Sequence, residues 1–167
     1  MNTNINIFRA SKEYPYHLSV GAVVMNDENN ILCHHFAPSV RDGQNYPDLY
    51  LLMRETLENN ETIEQCVERG LKEEFGVRAE LKSLLGSNAS QIDDNRGLIK
   101  QKTVVYFLCK FIEYLPEGRL KNDPESKSNL EWHDSRFLIS KMFEQGKKLN
   151  RQDIDESEII RRINLDS

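Results

Sequence analysis

The chain is poor in cysteine, has no long apolar run and carries no excess of basic charge, and each shortage removes a class of protein. Its three cysteines, Cys33, Cys66 and Cys109, are odd in number, far apart and without a CxxC spacing. Neither a disulfide framework nor a cysteine zinc site is expected from them. No hydrophobic stretch approaches the ~20 residues needed to span a bilayer. Basic residues number 22 against 27 acidic ones, a formal net charge of -5, which argues against a globally basic grip on a nucleic-acid polymer. The Asn-rich segment Met1 to Phe8 lacks the basic and apolar parts of a secretory signal, so the expected location is cytoplasmic. What is present is 167 residues, 38% of them hydrophobic, enough to bury one core and too short for two ordinary domains. A single domain over residues 1–167 is expected, with its core in 15–165 and residues 1–14 as an N-terminal extension.

Hydrophobic patterning places the elements. His17 to Val24 (HLSVGAVV) reads as a buried strand, followed by a turn at Asn26–Asn30 and a returning strand, Ile31 to Phe36. Pro38 to Pro47 is polar and breaker-rich and reads as a loop, and Leu49 to Met53 is a short apolar run. After a helix at Thr62 to Phe75, Ala79 to Leu85 fits a strand and Ser87 to Lys100 a polar loop. Lys102 to Ile112 is β-branched and aromatic, the strongest strand signal in the chain. A second polar loop, Pro116 to Asn129, leads to Leu130-Glu131-Trp132 and two short helices, Arg136 to Gln145 and Asp153 to Ile163. Strands mixed with helices, without strict alternation, imply a mixed sheet with helices packed on it.

The helix is the informative element. Thr62 with Gln65 three residues on fits a capping box, and Gly76 fits a left-handed C-terminal stop. At ~100° per residue, Ile63, Cys66, Val67 and Leu71 gather on one side, and Gly70 and Glu74 fall inside that stripe. Glu73 lies at its edge, one turn after Arg69. A carboxylate pointed at a core is costly unless it is paired or metal-bound. Adjacent Glu73 and Glu74 would each raise the other's pKa unless a cation neutralises them. A divalent ion such as Mg2+ or Mn2+ accounts for both, whereas the plain reading is a solvated acidic pair with an ordinary Arg69–Glu73 contact at i, i+4.

From Glu55 to Val77 the chain resembles the Nudix box, whose pattern is Gly, five residues, Glu, seven residues, then Arg-Glu-apolar-x-Glu-Glu-x-Gly-apolar. Glu61, Arg69, Leu71, Glu73, Glu74, Gly76 and Val77 match in register. Two positions depart: Glu55 stands where the box opens with Gly, after Arg54 where a second Gly is common, and Gly70 stands where a glutamate follows the arginine. The resemblance implies an α/β (α+β) fold, a Nudix-like α/β/α sandwich with a mixed central sheet. It implies hydrolysis of a phosphoanhydride in a nucleoside-diphosphate-linked or nucleotide substrate, with Mg2+ or Mn2+ held by Glu73 and Glu74, Arg69 as a brace, and an activated water. Gly70 removes a usual ligand or base, so candidates for that base are Glu125, Glu58 and Glu55, with Glu131 behind them. Tyr46, Tyr50, Arg41 and Arg96 lie in or beside loops that could contact a nucleotide. The implied partner is a small nucleotide, not a membrane or a nucleic-acid polymer, and a homodimer is among the assemblies implied. The alternative is a catalytically weak Nudix domain that binds a nucleotide as a regulatory module. Elsewhere, His34 and His35 are neighbours on a strand, so one is expected half-buried and the other exposed.

Overall fold

A computed structural model describes residues 5–41, 43–93 and 97–163. At its centre the apolar run read from His17 to Val24 forms β1 (Tyr16–Met25), which turns through Asn26–Asn30 into antiparallel β2 (Ile31–Phe36). Asn26 Oδ1 closes the turn by accepting from the amides of Glu28 and Asn30, while Asn29 takes the left-handed conformation. The other edge of β1 pairs in parallel with β8 (Ile99–Tyr114) over ten residues. β6 (Met53–Thr56) runs antiparallel to the middle of β1, and β5 (Leu49–Leu51) and β9 (Asn129–His133) both pair with β2. The path of the mixed sheet is β5-β2-β1-β8-β7, with β7 spanning Val77–Asp93.

Period-two alternation along β1 divides the interior into two cores. Val20, Ala22 and Val24 face one side, where Leu32, Met53, Cys66, Val67, Leu71 and Phe75 meet them beneath α1 (Ile63–Gly70). Val23 faces the other side, with Ile31, Cys33, Leu52 and Tyr106 packed against Leu138 and Met142 of α2 (Ser135–Leu149) and Ile159 and Ile160 of α3 (Ser157–Ile160). Helices thus cover both faces of a mixed sheet, as the resemblance implied. No helix among the described residues is long and apolar enough to cross a membrane.

Four local expectations are corrected. The segment read as a loop over Pro38 to Pro47 holds a small antiparallel hairpin, β3 (Ser39–Arg41) and β4 (Gln44–Tyr46). The polar stretch from Ser87 continues β7, which pairs with β8 through Asp93 opposite Ile99. Backbone pairing there satisfies the peptide groups while polar side chains such as those of Ser87 and Gln91 face water, so polarity alone did not mark a loop. The box helix also changes character: after α1, Leu71–Phe75 forms a π-helical turn closed by Gly76 at φ 64°, whose amide donates to the carbonyls of Leu71 and Lys72. Such turns insert an extra residue and re-aim the side chains that follow, and they are frequent at functional sites. Ile63, placed by periodicity in the apolar stripe, is 40% exposed because it sits in the first turn, at the rim of the core.

Candidate active site

The capping box read from Thr62 and Gln65 is formed, with Thr62 Oγ1 accepting from the Gln65 amide and Gln65 Oε1 from the Thr62 amide. One turn later Arg69 ties the helix to the strand before it. Its Nε and Nη2 donate to the two oxygens of Glu61 at 2.8 and 3.0 Å, and Nη2 also donates to the Thr56 carbonyl at 2.9 Å. Nη1 lies 3.3 Å from Glu55 and 3.6 Å from Glu73. The bidentate contact holds the Glu61 carboxyl below its ordinary range, so this pair is fully charged near neutral pH.

Glu74 takes the opposite environment. It is 3% exposed, and its Oε2 lies 2.9 Å from His34 Nε2. Burial raises its pKa well above the ordinary carboxylate value, and the charges of Glu125, Glu55 and Asp123 raise it further against one hydrogen bond from the Arg54 amide. His34 offers no counter-charge, because burial followed by the nearby Arg119 pushes its pKa down to about 3. The imidazole is therefore neutral, and its Nδ1 lies 2.8 Å from Ser128 Oγ. Ser128 belongs to the segment carrying Glu125, which is the second residue of the 3-10 turn Pro124–Lys127 and is half-buried. Burial, then the hydrogen bond and charge of Asp123, move Glu125 up to about 7.

Glu73, Glu74, Glu55 and Glu125 are thus gathered around the end of α1, whereas Glu58 stands exposed in the preceding turn, its amide donating to Glu61 Oε2. Glu131 is held elsewhere, by His35 and His133. Among the nucleotide-contact candidates, Tyr46 is exposed on β4 and Arg41 ends β3, while Arg96 lies outside the described residues. Tyr50 is corrected: it is a buried residue of β5, stacked on His35 with ring centroids 4.4 Å apart. His35 is half-buried between Asp48 and Glu131, as expected of one of the pair, whereas His34 is not exposed but fully buried against Phe75. Strand alternation foretold their opposite directions, but 40 residues separate His34 from Glu74 and no spacing marks the pair.

A cleft of about 870 Å³ opens between α1 and residues 117–121, lined by Gln65, Arg69, Lys72, Glu73, Arg119 and Lys121. That volume suits a small-molecule ligand. Among the described residues no group of three or more His, Cys, Asp or Glu side chains stands placed to hold a metal ion by itself. The donor chemistry instead suits an open oxygen site for Mg2+ or Mn2+, in which one or two carboxylates bind and water and phosphate complete the shell. Glu74, buried among other acids and faced by a neutral imidazole, is a carboxylate that a bound cation would relieve.

A family model of the NUDIX domain matches residues 15–152. The chain belongs to the Nudix hydrolase family. In fold it is similar to a NUDIX hydrolase from Nitrosomonas europaea, with a TM-score of 0.56 at 18% identity, covering 74% of this chain and 76% of that one. It is likewise similar to a MutT NUDIX hydrolase from Burkholderia pseudomallei, with a TM-score of 0.52 at 20% identity, covering 72% and 84%. No curated protein matches the chain significantly.

Proposed function

We propose that the protein hydrolyses a phosphoanhydride bond in a nucleotide or nucleoside-diphosphate-linked small molecule, using Mg2+ or Mn2+. The observation that carries this reading is Glu74, turned inward at the end of an in-register box, its carboxyl raised by burial and by the charges of Glu125, Glu55 and Asp123 and faced by a neutral imidazole. Glu74 and Glu73 would hold the ion. When bound, the ion supplies Lewis-acid polarisation of phosphoryl oxygens and stabilises the charge that develops on them. Arg69 keeps the helix docked on β6 by its grip on Glu61 and the Thr56 carbonyl. Lys72 and Lys121, on the cleft wall, offer positive charge to the substrate's phosphates. Glu125, with its pKa near neutrality, takes the proton from the attacking water, since a base is most effective when its pKa lies near the working pH.

The test is a panel of nucleoside triphosphates and nucleoside-diphosphate conjugates incubated with the protein and Mg2+ or Mn2+. Cation-dependent release of a nucleoside monophosphate or phosphate, with at least ~100-fold loss in Glu125→Gln, is the expected result. Gly70 favours a second reading, a domain that binds a nucleotide without cutting it. Calorimetry separates the two: tight, cation-dependent nucleotide binding with no product at high protein concentration supports the binding module and overturns the hydrolase.

A further inference from the structure

The two departures from the box, Glu55 and Gly70, face each other across the contact between β6 and α1. A Cβ placed on Gly70 would stand 2.6 Å from Met53 Sδ and 2.8 Å from Glu55 Cβ. Separations that short force a shift, so the side chain of residue 55 already occupies the space that a side chain at residue 70 would enter. Strand alternation puts Met53 and Glu55 on the same face of β6, the face that packs beneath α1, while Arg54 points to the opposite core. A glutamate at 70 and a glutamate at 55 therefore compete for one volume.

We propose that Glu55 supplies the carboxylate that Gly70 lacks, so that the two departures form one exchange and Glu55 is a third oxygen donor toward the divalent cation. This inference rests on the cation reading of the site. Three features of Glu55 suit it to the task. Its carboxylate lies against Arg69 Nη1, the atom that Glu73 also approaches, so the two acids share one neighbourhood. Its Oε1 is fixed by the Thr56 amide at 2.9 Å, which restricts the rotamer. Oε2 has no protein partner among the described residues and remains available to a ligand. Carried on a strand rather than on the helix, the donor reaches the same place from the opposite wall.

The experiment measures Mn2+ binding to the full chain by electron paramagnetic resonance, without substrate, and melting temperature in the absence of metal. The proteins are wild type, Glu55→Gln, Gly70→Glu, and the double variant Glu55→Gly with Gly70→Glu. Glu55→Gln keeps the volume and should weaken Mn2+ binding at least ~10-fold without lowering the melting temperature. Gly70→Glu alone should melt several degrees lower than wild type, from crowding against Glu55 and Met53. The double variant, which moves the carboxylate to the helix, should recover both the melting temperature and wild-type Mn2+ affinity. Glu55→Gln binding as wild type does, or a double variant that folds but binds no better than Glu55→Gln, overturns the exchange and leaves the cation reading standing. A wild-type protein that takes up no Mn2+ even at millimolar concentration overturns the cation reading itself, and this inference with it.

Discussion

Glu74→Gln is expected to abolish divalent-ion binding and, without metal, to make the protein more stable than wild type. The carboxyl is buried, faces a neutral histidine, and feels the charges of Glu125, Glu55 and Asp123. Gln keeps the shape and can still hydrogen-bond His34 Nε2, but it carries no charge to desolvate. The gain should be about 1–3 kcal/mol at pH 8, the scale on which a buried charge in poor company is relieved. The pH dependence follows from linkage. A carboxyl whose folded pKa is raised binds more protons in the folded than in the unfolded state between its ordinary pKa and the raised one, so wild-type stability falls as pH rises through that window. The advantage of the variant should therefore shrink on acidification and vanish near pH ~4, where Glu74 is protonated in both states. Denaturant titrations at several pH values, with and without Mg2+, check both parts. A variant less stable than wild type at pH 8 would show that the buried acid is held by protein contacts alone.

The second large effect lies on the other face of the sheet. Glu156 is fully buried, and its Oε2 accepts from the Leu52 amide at 2.8 Å while Oε1 accepts from the Tyr106 hydroxyl at 2.5 Å. Arg54 Nε lies 3.8 Å from it, and Arg54 Nη1 donates to the Asp153 carbonyl at 2.7 Å. Glu156→Ala leaves an amide, a hydroxyl and a guanidinium without this partner, and should cost about 3–5 kcal/mol, a large share of a typical domain's stability. Glu156→Gln keeps an acceptor for the Leu52 amide and offers its NH2 to the Tyr106 oxygen with the direction of that bond reversed, losing the charge opposite Arg54, and should cost clearly less. Urea unfolding of the two variants provides the comparison, and equal losses would mean that the hydrogen bonds contribute little. The residues involved flank Glu55 and Met53 on β6, so this network also fixes the strand that meets the box helix.

Much of the site was legible before folding because it is written within one helix. Thr62, Gln65 and Gly76 mark the helix ends by local backbone chemistry, and the 3.6-residue period puts Glu74 on the inward face. The same period could not foresee the π-helical turn at Leu71–Phe75 or the exposure of Ile63, since both depend on what the helix packs against. In the strands, alternation told which of His34 and His35 oppose one another, but not that one would be sealed against Glu74.

By itself the sequence determined the family, the box helix with its caps, the strands β1, β2 and β8, and the inward direction of one acid. These are consequences of residue spacing along short segments, where backbone geometry converts composition directly into a face or an end. Only the tertiary structure decided that His34 and Ser128 meet beside Glu74, that Glu125 comes near it, and that the side chain at 55 fills the place left open at Gly70. Those relations join elements 15 to 94 residues apart, and they are set by close packing and by the sharing of charge in a dry interior, which no periodicity along the chain expresses.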